Sequence, residues 1–177
     1  MKLKKFNRHI GVILLASSLS LSTASGALAI QTPKDNGLDS LGTSGSNDEI
    51  SSGLSAEANS AERSESSSVL SVTWSIENSG DSDAYFTWPN GSTYMYNDPL
   101  FYSGVTIKST EENKRYHPIM DSSGECLCSG NASIDFKERI RPGEQVAYWS
   151  MFSVPSDVDT ITLEIPGFDP IEDIPIS

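Results

Sequence analysis

Cysteine, histidine and positive charge are all scarce in this sequence. Two cysteines and two histidines occur in 177 residues, and 12 Lys and Arg stand against 24 Asp and Glu, a formal net charge of −12. Phosphate recognition needs clustered cations, so the balance argues against nucleic acid as a partner. Four of those cations, Lys2, Lys4, Lys5 and Arg8, fall in the first 29 residues with no acid among them, which leaves the remainder more acidic still. His9 lies there too, so His117 is the one imidazole beyond residue 29, too little for a His-based metal cage and a thin basis for a Ser-His-Asp device. No Gly-x-Ser-x-Gly elbow occurs. Nor does any apolar run reach the roughly 20 residues a membrane span needs, because Gly11-Val12-Ile13-Leu14-Leu15-Ala16 gives way to Ser17, Ser18, Ser20, Ser22 and Thr23.

What is present divides into three parts. Residues 1–29 have a basic start, an apolar stretch and the small-residue triplet Ala27-Leu28-Ala29, the pattern of a cleaved secretory signal peptide. No cysteine follows the triplet, which argues against a lipid tether. Residues 30–68 are rich in Ser, Gly, Asn, Ala and acids and hold no aromatic residue. Burial of their scattered apolar groups is not expected to offset the roughly 1–2 kcal/mol per residue that backbone ordering costs, so this stretch reads as a disordered linker. Residues 69–177 carry the material for one hydrophobic core.

Strand signals fill that last part. Leu70-Ser71-Val72-Thr73-Trp74-Ser75-Ile76-Glu77 alternates apolar and polar without a fault, the period of a strand with one buried face. Turn chemistry follows at residues 78–83. Further strands are predicted over residues 84–88, 93–96, 104–109, 114–119, 145–152 and 160–165, with a weaker one at Ile134-Asp135-Phe136. The run Gln145-Val146-Ala147-Tyr148-Trp149-Ser150-Met151-Phe152 is apolar on both faces, which predicts a central strand. Seven to nine short strands without helical periodicity specify an all-β fold, an immunoglobulin-like antiparallel β-sandwich, with a small closed barrel as the other architecture considered.

Several of these segments also carry a resemblance. Gly124-Glu125-Cys126-Leu127-Cys128-Ser129, the strand opening Arg141-Pro142-Gly143-Glu144, Trp149, Phe152, Pro155 and the closing Ile165-Pro166-Gly167-Phe168 resemble a group of secreted bacterial proteins. In these an uncharacterised immunoglobulin-like β-sandwich stands alone or precedes an OmpA-type wall-binding domain. The resemblance implies a location outside the cell and brings no activity.

Three sets of residues could carry chemistry. Cys126 and Cys128 are expected to form one disulfide, since cysteine pairs outside the cell are normally bridged. In an extended strand their Cα atoms would sit about 6.6–6.8 Å apart, at the far edge for a bridge, so the backbone must contract there. Redox-active thiols, or a soft metal site with His117 and Met120, are the alternatives. Oxygen ligands for calcium are conceivable in Asn78, Asp81 and Asp83, and in Asp169, Glu172 and Asp173, although Asn and Asp are equally the ordinary turn residues. Finally, Tyr85, Phe86, Trp88, Tyr94, Tyr96, Phe101 and Tyr102 crowd one third of the domain. Alternation forbids all seven from facing inward, and Trp88, Tyr94, Tyr96, Phe101 and Tyr102 form the candidate binding surface.

The resulting reading is a secreted, non-catalytic module without cofactor or resident metal. It would bind an extracellular or cell-envelope protein or glycan, and the alternative is a thiol/disulfide or metal-binding protein acting through the Cys-x-Cys loop.

Overall fold

Period-two alternation decides both sheets. The computed structural model describes residues 38–65, 67–90, 100–130 and 133–177. These residues form ten strands: β1 Gly42–Gly45, β2 Leu54–Arg63, β3 Val69–Asn78, β4 Ala84–Tyr85, β5 Thr106–Ser109, β6 Lys114–Tyr116, β7 Arg139–Ile140, β8 Gln145–Ser153, β9 Thr160–Glu164 and β10 Ile171–Pro175. One four-stranded sheet has the order β1-β2-β3-β8 and a second β10-β9-β5-β6, while β4 and β7 make a short ribbon. Every registered pair is antiparallel, and the fold is an all-β sandwich. Helix is confined, among the described residues, to one 3-10 turn at Glu49–Ser51.

The centre of the first sheet is β3, whose Leu70, Val72, Trp74 and Ile76 are fully buried. On one side β8 sets Phe152, Ser150, Tyr148 and Val146 opposite those four residues in turn. On the other side β2 sets Ala56 opposite Ile76, Ala58 opposite Trp74 and Ala61 opposite Val72. Small residues there leave room for the large ones, and a register shift between Ala58 and Ser60 keeps Ala61 pointing inward. Rings close the core, with Trp74 and Tyr148 at 4.8 Å and Tyr102 and Tyr148 at 5.1 Å between centroids. Buried polar ends find partners: Tyr148 donates to the Lys137 carbonyl at 2.7 Å, Trp74 Nε1 to Ser150 Oγ at 3.4 Å, and Tyr102 to the Phe86 carbonyl. Desolvation raises both tyrosine pKa values, so the two hydroxyls stay protonated and donating.

Several sequence expectations need correction. Residues 41–63 belong to the sandwich and are not linker, because β2 is flanked on both sides within the first sheet and buries Leu54 and three alanines. Strand 145–152 was expected at the centre, yet β8 ends its sheet; its inward face packs into the core, and its outer edge is taken by a loop in place of a further strand. The stretch 84–88 is a strand only at Ala84–Tyr85, and Ile134-Asp135-Phe136 is a turn with Asp135 at φ 60°. Strands β1, β2, β7 and β10 were not anticipated, so the described strands number ten where seven to nine were expected. The signal peptide at 1–29 and the strand at 93–96 lie outside the described residues.

Strand β2 contributes nine registered positions to the ladder with β3. At a net gain of about 0.5–1.5 kcal/mol per hydrogen bond, losing them rivals the roughly 5–15 kcal/mol that holds a small domain together. We therefore expect residues 38–177 to melt in one cooperative thermal transition, and residues 69–177 alone to show neither that transition nor a protease-resistant core.

Candidate functional site

A concave surface is built around Asn78. At the end of β3 its amide nitrogen donates to the Ser82 carbonyl at 2.8 Å and the Ile140 carbonyl at 2.9 Å, while its Oδ1 accepts from Gly80 N at 2.9 Å. One side chain thus fixes both the turn over residues 79–83 and the β7 strand beside it. Tyr85 pairs with Arg139 across the β4–β7 ribbon, and Phe86 N donates to the Glu138 carbonyl at 2.7 Å. Because Phe86 and Ile140 are drawn fully into the core, alternation turns Tyr85 and Arg139 outward. Tyr85 is 62% exposed, on a strand whose backbone is held at both ends.

The ring stands between two grooves. One, of about 410 Å³, is lined by Tyr85, Lys137, Glu138, Arg139, Arg141 and Glu144. The other, of about 580 Å³, runs from Ile50 and Leu54 past residues 78–83 to Tyr85 and Trp88. Ion pairs hold the rim of the first: Lys137 Nζ donates to Glu144 Oε1 at 2.8 Å, and Arg139 Nε to Asp83 Oδ2 at 2.7 Å. Glu144 also accepts from Arg141 N at 3.0 Å. The Lys137 hydrogen bond, followed by that from the Arg141 backbone, holds the Glu144 carboxyl below the ordinary glutamate value. Asp83 raises the Arg139 pKa, so that guanidinium is always charged.

The five aromatics proposed as a surface are distributed otherwise. Tyr102 is fully buried against Phe86 and Tyr148, and Phe101 is buried beside the two cysteines, which corrects the surface assignment for both. Trp88 is half-buried, edge-on to Phe86 at 4.8 Å, and donates to the Pro166 carbonyl at 2.7 Å. Tyr94 and Tyr96 lie outside the described residues. Tyr85 belongs to the seven-residue aromatic crowd but lies outside the five-residue candidate surface. The signal that marks it is the adjacent Phe86, since neighbours in a strand face opposite ways and the hydroxyl-free ring takes the core.

Cys126 and Cys128 form a disulfide with their Cα atoms 5.4 Å apart, the contracted backbone the spacing requires. Asp121 builds that contraction: its Oδ1 accepts from Ser123 N at 2.8 Å and Glu125 N at 3.0 Å, and Gly124 takes φ 86°. The returning limb then lies along the outer edge of β8. Met151 N donates to the Leu127 carbonyl at 2.9 Å, Ser129 N to the Trp149 carbonyl at 2.8 Å, and Trp149 N to Ser129 Oγ at 2.9 Å. The bridge therefore shapes the strip that finishes the first sheet. Met120, of the proposed soft metal set, is exposed, and His117 is half-buried with an Nδ1 that has no hydrogen-bond partner. Among the described residues no group of three or more His, Cys, Asp or Glu is placed to hold a metal ion. Of the calcium candidates, Asn78 serves the turn and Asp83 is paired with Arg139.

No family model matches the chain, and no curated protein matches it. A solved structure described as that of a functionally unknown protein from Listeria monocytogenes EGD-e is similar at 15% identity with a TM-score of 0.39. It covers 78% of this chain and 85% of that one, and it brings no activity. No helix among the described residues is long and apolar enough to cross a membrane.

Two measurements test this geometry. A β-carbon at Gly130 would run into the Phe101 ring, which is buried beside the bridge. Gly130→Ala is expected to cost about 1–3 kcal/mol in chemical denaturation, the range for overpacking. Glu144, with its pKa depressed in the folded state, contributes stability that is present above the ordinary glutamate value and lost as pH falls through the folded one. In Lys137→Met the Glu144 carboxyl is expected to titrate closer to that ordinary value, read from its side-chain carbon by NMR.

Proposed function

We propose that this chain is a secreted, non-catalytic β-sandwich module that acts by contact, with a protein or glycan at the cell envelope or outside the cell as its partner. The observation that carries the reading is Tyr85: a large ring held 62% exposed on an anchored ribbon, between two grooves, where most other aromatic residues among those described are buried. Exposed rigid aromatics beside open concavities are the residues that anchor interfaces. The signal-like residues 1–29 and the resemblance to secreted bacterial sandwiches support the location.

Thiol exchange or metal binding at Cys126 and Cys128 has less behind it. Either role needs an accessible sulfur, and the two residues are 4% and 1% exposed and bridged to each other.

Affinity capture from the producing cell's envelope, with the full chain and its Tyr85→Ala variant as baits, tests the proposal. Truncating an exposed side chain is expected to change stability by no more than about 0.5 kcal/mol, so loss of capture reports the surface and not the fold. The expected outcome is a partner recovered by wild type and by a Met120→Ala control, and depleted at least tenfold by Tyr85→Ala. Equal recovery by all three removes Tyr85 from the contact.

A further inference from the structure

The charge pattern around Tyr85 narrows the chemistry of what the smaller groove accepts. Around that groove Lys137, Arg139 and Arg141 face Glu138, Glu144 and the Arg139 partner Asp83, so cations and anions balance. A polyanion or a polycation would meet as much repulsion as attraction there. Four of the six are already engaged with one another, Lys137 with Glu144 and Arg139 with Asp83. The two that remain are complementary: among the described residues the Arg141 guanidinium donates no hydrogen bond, and the Glu138 carboxylate accepts none.

A free planar donor and a free planar acceptor flanking an exposed ring ask for a ligand that donates and accepts without bringing net charge. Hydroxyl groups do both, and neighbouring hydroxyls match the forked geometry of guanidinium and carboxylate. The electron-rich face of the ring attracts the weakly positive C–H hydrogens that line the faces of a sugar. A volume of about 410 Å³ lies within the roughly 300–1,000 Å³ of small-ligand sites.

We infer that the groove formed by Tyr85, Glu138 and Arg141 is a subsite for an uncharged glycan. This rests on the contact reading above and supplies the partner class. Tyr85 gives the stacking face, Arg141 donates to hydroxyl oxygens, and Glu138 accepts from hydroxyl hydrogens. The Lys137–Glu144 and Arg139–Asp83 pairs fix the walls and cancel long-range charge, so binding depends little on ionic strength.

The test is titration calorimetry of the full chain against a panel of soluble oligosaccharides: chitotetraose, cellotetraose and maltotetraose as neutral probes, and a heparin tetrasaccharide as the acidic one. We expect at least one neutral probe to bind with a Kd that changes less than twofold between 50 and 300 mM salt. Tyr85→Ala and Arg141→Ala each weaken that binding at least tenfold, Tyr85→Trp retains it, and near-UV circular dichroism certifies that the variants are folded. The inference is overturned if no neutral probe binds, if only the heparin fragment binds, or if Tyr85→Ala binds as wild type does. A blank panel together with a protein partner captured in a Tyr85-dependent manner overturns the glycan assignment and leaves the contact reading standing. Neutral binding that ignores Tyr85 overturns this subsite and relocates the contact.

Discussion

Everything in this fold depends on a match of sizes across two neighbouring strands. Trp74 is fully buried at the middle of β3, with Ala58 on one flank and Tyr148 on the other. A second large residue in place of Ala58 would force the strands or the rings apart, because close-packed interiors absorb extra volume poorly. The alanines of β2 are therefore a specification, not an absence of hydrophobicity. Their position lets Trp74, Phe86, Tyr102 and Tyr148 pack as one ring cluster, and that cluster draws Phe86 inward and fixes the direction of Tyr85.

That same match explains what was legible in the sequence and what was not. The alternation from Leu70 to Glu77 is carried by large residues and reads at once as a strand. The alternation in Leu54-Ser55-Ala56-Glu57-Ala58 is just as regular, but alanine and serine are poor strand formers in isolation and present little apolar area. Only the partner strand gives them a reason to be extended. Strand β8 failed in the opposite direction: its second apolar face suggested a central position, whereas its outer edge is taken by the limb carrying Leu127 and Ser129. A sequence pattern reports that an edge is covered; whether a strand or a loop covers it is a matter of tertiary geometry.

The candidate site was legible only in composition. A crowd of aromatics between Tyr85 and Tyr102 announced that some ring must face outward. Choosing the ring required knowing that the ribbon passes Phe86 and Ile140 to the core. Nothing in the sequence marked Arg139, and Arg141 stood out only in the opening of a strand; their alignment beside Tyr85 comes from the pairing of β4 with a two-residue strand too short to leave a pattern. The cysteine pair was legible because its chemistry is local, and its bridge follows from a spacing of two residues and a turn built by Asp121.

The limb that runs from Cys126 to Ser129 has a meaning for the molecule among its neighbours. An open sheet margin offers a row of unsatisfied amides and carbonyls to any extended polypeptide that drifts past, and such margins seed aggregation. At Trp149 and Met151 those groups are already bonded to the chain's own backbone and to Ser129. A two-residue cross-link thereby keeps this margin of the first sheet from being continued by a stranger.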